Sequence, residues 1–407
     1  MTRTAAGSAH HQPSQALSPR PRSAAAGVKA QNALSAASAM SVRLPSALPV
    51  RCSAAASDGM TSKAAAVTAI PAGESPGLAW PMRSRMRLVD ELAQVTVDPA
   101  TSGPLPGRED EWAMLADYRA EIAQQDRDWP TMEQILHESV NWHREQASPA
   151  LAASADDRDR SNIDSLAAAI LKLANALREQ EQPGCVQPYL EAMGLFNQIA
   201  DRPAEAAVAF NLGNAYLNIP DLRDLDQAER WYRHSAKLIG EHDKLGRARV
   251  TGQLGSVALE RFHDARRKEA PEDQLTGHLT DASAAYLQAL DLLPAHAVTE
   301  IAAVKNQLGL ICGSAGDPDR ALEYYQQSIQ LYERQEQPFL AGEVRFNAAI
   351  TLADAGRWHD ALLYAWAALR DYESVGSGAS TNASRTRSLI AGLEQHQDHE
   401  KDPGYAS

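Results

Sequence analysis

Cysteine is nearly absent from this chain: Cys52, Cys185 and Cys312 are isolated in 407 residues, with no paired spacing. That excludes a disulfide framework and a cysteine-held zinc cluster, and makes a reducing compartment, the cytoplasm, the expected setting. Aromatic residues are scarce at 6%, and β-branched runs are few while Ala and Leu dominate, so a mostly helical protein is expected. No apolar stretch approaches the roughly 18 to 20 residues of a membrane span. Acidic residues are missing from positions 1–57, which carry six cations (Arg3, Arg20, Arg22, Lys29, Arg43 and Arg51). Because the whole chain is −13, the remainder carries −19, and an acidic body repels phosphate backbones. Neither nucleic acid nor membrane is an expected partner.

Residues 1–77 are rich in Ala, Ser and Pro and lack helical periodicity, so a disordered basic tail is expected there. Two readings of its acid-free part stand side by side. One is an organelle-targeting peptide. The other is an upstream extension from an Ala-rich source, with Met60 or Met82 as the start.

What is present in quantity is a repeated phrase: Asn211-Leu212-Gly213, Gln253-Leu254-Gly255, Gln307-Leu308-Gly309 and the weakened Asn347-Ala348-Ala349. In the clearest copy, Leu308 and Gly309 share one helix face before Gly316-Asp317-Pro318 breaks the helix. Asp317 suits an N-cap and Pro318 a first turn. Ala321, Tyr325, Ser328, Leu331 and Tyr332 then form a stripe at three- and four-residue spacing. Small residues at Gly309 and Ala321 allow two helices to approach, and Tyr325 fills the wedge left between hairpins. Other copies add Tyr232 after Ala228, Tyr286 after Ala282, and Ala361 with Ala368, where Ala365 replaces the aromatic. An earlier half-copy holds Pro188, Tyr189, Ala192, Leu195 and Phe196, closing a hairpin that opens near Ser161.

This pattern resembles the tetratricopeptide repeat, whose signature is an aromatic, a Leu-Gly pair, a Tyr, then Ala, an aromatic and Pro. The resemblance implies an all-α fold, a right-handed superhelical array of antiparallel helical hairpins, here over about 161–372. Anchor spacings of 42, 54 and 40 residues exceed the usual period. They are similar to the lengthened repeats of bacterial regulators and kinesin-light-chain-like arrays. The longest interval contains a charged stretch, 262–278, expected as a surface loop or an extended helix end.

Flanking the array, 82–148 reads as a degenerate helical hairpin. Its stripes are Met86, Val89, Leu92 and Val95, then Trp112, Leu115, Tyr118 and Ile122, then Met132, Ile135, Leu136 and Val140, with a break at Asp128-Trp129-Pro130. At the other end, 376–384 reads as a linker, 385–397 as a short capping helix, and 398–407 as a tail.

Sites for chemistry are few. His137 and His143 lie six residues apart and so do not share a helix face, and His396, His399 and Glu400 fall in a polar terminal stretch. Gly313-Ser314-Ala315-Gly316 has no Lys for a phosphate and follows a helix rather than a strand. No catalytic residue, cofactor or metal is expected, and Cys312 reads as a core residue.

The resemblance places the amides before the Leu-Gly pairs toward a concave groove, where an amide can bond the backbone of an extended peptide. The candidate groove residues are Asn211, Asn214, Gln253, Asn306, Gln307, Glu343 and Asn347, with Phe210 and Phe346 beside them. The family's carboxylate clamp is not reproduced, because Phe210 and Gly252 stand where cations are needed. The function so implied is a non-catalytic scaffold or sensor in signalling that binds a protein or peptide. The alternatives are a peptide-responsive regulator with phosphatase-like helper activity, drawing on Gln124, Gln125 or Glu133, and a self-associating structural protein, a homo-oligomer.

Overall fold

The computed structural model describes residues 89, 91, 96–98, 103–152 and 157–401. The expected tail 1–77, the positions Met86, Leu92 and Val95, and residues 402–407 lie outside them. The chain divides into two compact units at 300/301. Among the described residues the fold is helical, apart from one isolated antiparallel bridge between Val97 and Pro104.

The first unit opens with a hairpin of α1 (Glu109–Asp126) and α2 (Trp129–Ala152). Arg127 adopts a positive φ of 57° at the break, and the Asp128 carboxylate accepts from the Thr131 amide at 3.3 Å. Trp112, Leu115 and Ile122 are buried on α1, and Met132, Ile135, Leu136 and Val140 on α2. Three further hairpins follow: α3 (Asp157–Glu179) with α4 (Val186–Gln198), α5 (Arg202–Asn218) with α6 (Leu225–Leu238), and α7 (Lys244–Arg267) with α8 (Glu272–Leu292). The charged stretch 262–278 lengthens both helices of this last hairpin, with a break of four residues between Arg267 and Glu272.

The second unit takes in α9 (Val298–Ser314), which begins at the junction, then α10 (Pro318–Arg334), α11 (Pro338–Asp354), α12 (Trp358–Val375) and α13 (Ser380–Lys401). Residues 376–384, expected as a linker, are instead a 3-10 turn, Gly376–Ala379, running into α13, which starts at Ser380 rather than 385. Ala383, Thr386, Ile390 and Leu393 form a buried stripe on it, and Ala379 of the turn is buried too, so packing overrides the loop-like Gly and Ser composition. At the end of this helix His396 stacks flat on Trp358, with centroids 4.8 Å apart.

Helix starts are set by aspartates. Asp201, Asp224, Asp243 and Asp317 each accept from backbone amides of the first turn, Asp317 from Arg320 at 3.1 Å, and such a cap contributes about 1 kcal/mol. Within the hairpins, the glycine of the repeated phrase lies under a tyrosine of the second helix. A Cβ placed on Gly213 would sit 2.5 Å from the Tyr232 ring, and one on Gly255 would sit 3.0 Å from Tyr286. Leu212, Leu308, Ala321 and Ala361 are buried, while Leu254 is half-buried against Val250 and Val257. Three residues beyond Tyr232 and Tyr325, Ser235 and Ser328 donate to the carbonyls of Ala206 and Ala302 at 2.8 and 2.7 Å, bonding the second helix to the first.

The α3/α4 and α11/α12 hairpins solve the same packing differently. In α3/α4 the pair is Ala174 and Tyr189, both fully buried. In α11/α12, Ala349 and Ala365 face the core, and the close approach moves along the helices to Gly342, where a Cβ would lie 3.1 Å from Tyr372.

Candidate functional site

The structure buries five of the seven candidate groove residues. Asn211, Asn214, Gln253, Asn306 and Gln307 are between 0% and 6% exposed, which withdraws their side chains from direct contact with a peptide. Burial without a hydrogen bond would cost each amide roughly 1–3 kcal/mol, so their partners decide their role. Asn211 Nδ2 donates to Asn175 Oδ1 on the preceding hairpin at 3.0 Å, and Asn347 Nδ2 donates to Asn306 Oδ1 at 3.2 Å. The Asn211–Asn175 and Asn347–Asn306 bonds each tie one first helix to the first helix of the neighbouring hairpin.

A second polar series runs down the same helices. The residue after the small anchor takes the hydroxyl of the tyrosine packed on that anchor: Tyr189 donates to Asn175 Oδ1 at 2.7 Å and Tyr232 to Asn214 Oδ1 at 2.8 Å. Ser256 Oγ lies 2.8 Å from Tyr286 Oη. In the α9/α10 hairpin that position is Leu310, and Tyr325 Oη turns to Thr351 Oγ1 of the next hairpin at 3.2 Å. Arg178 Nε donates to Tyr189 Oη at 3.1 Å, so the first tyrosine is held from both sides. Phe210, beside the Asn211 phrase, is also buried, packed on Tyr232 with centroids 5.7 Å apart, and Gly252 is buried too.

Glu343 and Asn347 are half-buried rather than buried, and both lie on α11 in the second unit. Phe346 shares this face and is half-buried as well. Arg385 of α13 sits over the Phe346 ring, 5.4 Å from its centroid, a cation–π contact. The same guanidinium favours the charged form of Glu343, but burial outweighs it and pushes that carboxyl up to about 7. A carboxyl, an arginine, an aromatic face and an amide therefore converge on α11 and α13. Sequence reasoning missed Arg385, which stands in a polar Ser/Thr/Arg run without a repeat anchor to mark it.

Other candidates occupy structural places. Burial pushes the thiols of Cys185 and Cys312 up to about 11, and both are free cysteines in the core. His143 lies against Trp142 and is held down to about 4 by burial, while His137 is exposed. The amide of Gln124 donates to Glu179, and Glu133 accepts from Gln182 Nε2 at 3.0 Å. Among the described residues, no group of three His, Cys, Asp or Glu side chains could hold a metal, and no helix is long and apolar enough to cross a membrane.

Residues 300–374 match the family model of the tetratricopeptide repeat. No curated protein matches the chain. Among solved structures, the chain is similar to BtubC (BKLC) from P. vanneervenii, with 17% identity over 60% of this chain and 92% of that one, at a TM-score of 0.46. It is also similar to the P58(IPK) TPR domain, with 11% identity over 79% of this chain and 89% of that domain, at a TM-score of 0.26. The α9–α12 hairpins are tetratricopeptide repeats, matched over 300–374.

Proposed function

We propose that the chain is a non-catalytic scaffold that binds a segment of a partner protein through the α11/α13 face of its second unit. The observation that carries this reading is the Arg385–Phe346 contact beside Glu343. Glu343, Phe346 and Asn347 stay half-buried on α11, whose packing face is already filled by Val344, Ala348 and Leu352, and Arg385 meets Phe346 from α13. Glu343 and Arg385 offer opposite charges, Phe346 an apolar surface and Asn347 an amide, the mixture that recognises an extended polypeptide. A preformed helical surface leaves most of the ordering cost to the bound segment. Free buried thiols are compatible with a cytoplasmic setting.

Affinity capture with the full chain and with the Phe346→Ala and Arg385→Ala variants tests the proposal. Proteins retained by the parent and lost from both variants support it, and retention by both overturns it. A second reading, self-association, has its own observation: Leu363 and Trp366, one turn apart on α12, are 59% and 49% exposed. Sedimentation of the parent as a discrete oligomer that Trp366→Glu dissolves would favour it.

A further inference from the structure

The first unit carries a notch that the packing of its hairpins leaves open. It lies between α4, the start of α5 and α6, has a volume of about 500 Å³, and is lined by Leu190, Met193, Gly194, Asn197, Glu205, Trp231 and His234. Gly194 forms its open side: a Cβ built there meets nothing within 4 Å. Leu190 is exposed at the rim, and Trp231 is half-buried with its indole N–H enclosed and without an acceptor.

Glu205 makes this more than an apolar dent. It is only 7% exposed, yet no Lys or Arg among the described residues pairs with it. Its contacts are His234 Nε2 at 3.4 Å on one oxygen and Asn197 Nδ2 at 3.4 Å on the other. Both lie at the long end of hydrogen bonding, and the imidazole is a cation only when protonated. Other acidic residues of this unit are better served: Asp264 and Glu260 share Arg223 at 3.0 Å, and Glu300 takes Arg249 at 2.6 Å. A nearly buried carboxylate held by long contacts to an imidazole and an amide gains most from a cation brought from outside.

We infer that this notch receives an arginine side chain of a partner protein. The guanidinium would fork onto Glu205 and stack along Trp231, while its methylene stem covers Met193 and Leu190. Arginine fits better than lysine because its planar, weakly hydrated group combines bidentate carboxylate pairing with stacking on an aromatic ring. The site lies wholly in the first unit and does not depend on the α11/α13 face.

The test is a titration of the full chain, with indole-labelled tryptophan and the Trp231 resonance assigned through Trp231→Phe. The probe is a blocked hexapeptide bearing Leu-Arg-Leu, and its counterparts replace Arg by Lys, norleucine or neutral citrulline. The expected result is a saturable shift of the Trp231 indole with the arginine peptide, at least tenfold weaker binding of the citrulline and norleucine forms, and weaker binding of lysine. Glu205→Gln should reduce arginine affinity at least tenfold. Gly194→Leu, which fills the notch from an exposed helical position without touching Glu205, should abolish it. Equal binding of arginine and citrulline, unchanged affinity in both variants, or no saturable shift up to about 10 mM peptide would each overturn the assignment. Equal binding of lysine would overturn the choice of a guanidinium.

Discussion

Gly309 and Tyr325 stand so close that a Cβ on the glycine would lie 2.5 Å from Cε1 of the ring. Tyr325 is fully buried and cannot swing out, so Gly309→Ala must displace a packed aromatic. Overpacking of this kind costs about 1–3 kcal/mol, against a helix-propensity gain of about 1 kcal/mol for replacing glycine. The expected outcome is a lower urea midpoint for Gly309→Ala and for Gly213→Ala. Gly255→Ala should lose less, because its Cβ would lie 3.0 Å from the Tyr286 ring rather than 2.5 Å, so the ring must yield by a smaller distance. Equal midpoints for all three would mean that the tyrosines yield freely.

Removal of a tyrosine hydroxyl should be felt unequally along the array. Tyr232→Phe leaves Asn214 Oδ1 without its 2.8 Å donor at a side chain only 1% exposed, a loss of about 1–2 kcal/mol. Tyr286→Phe should cost less, since Ser256 can settle its hydroxyl on the Gly252 carbonyl one turn back, already 3.4 Å away. Restoring an apolar pair with Tyr232→Phe plus Asn214→Leu should recover part of the loss, for Leu310 fills this position naturally beside Tyr325. Equilibrium unfolding of the parent, Tyr232→Phe, Asn214→Leu and the double variant measures the coupling as a double-mutant cycle.

These contrasts show what sequence makes legible. Gly213, Gly255 and Gly309 with Tyr232, Tyr286 and Tyr325 could be read directly, since close helix approach demands a residue without a side chain, and the Asp317 cap was readable because a cap acts within the first turn of its own helix. The α3/α4 hairpin was harder, because Ala174 replaces the glycine and hides the phrase, although Leu173-Ala174-Asn175 repeats Leu212-Gly213-Asn214. Periodicity places Asn211 and Gln307 on a helix face but carries no measure of depth, so their burial became visible only once neighbouring hairpins were packed beside them. Arg385 meets Phe346 across 39 positions of sequence, a contact that no local pattern encodes.

The described thiols should resist alkylation. Burial raises Cys185 and Cys312 to about 11, so few thiolates exist near neutral pH, and both side chains lie in the core. Peptide mapping after iodoacetamide treatment of the native protein should find both unmodified, and treatment in denaturant should modify both. Rapid native labelling of Cys312 would indicate that the α9/α10 hairpin opens locally.

Glu343 gives the face between α11 and α13 a pH dependence with a definite sign. Its carboxyl titrates near the ordinary 4.5 when unfolded and at about 7 when folded, because burial disfavours the charge more than Arg385 supports it. Between those values the folded chain holds a proton that the unfolded chain has released, so stability falls as pH rises through this window. Above about pH 7 the penalty is complete, and below about pH 4.5 it vanishes. Glu343→Gln removes the ionisation while keeping the shape of the side chain. The variant should match the parent at the acid end and exceed it at the alkaline end, by at most about 3 kcal/mol, with residual solvent at the half-buried group reducing the figure. Urea unfolding at several pH values gives both curves, and parallel curves would mean that Glu343 is solvated well enough to ionise normally. Arg385→Gln should steepen the parent's slope, since it deletes the charge that opposes the effect of burial.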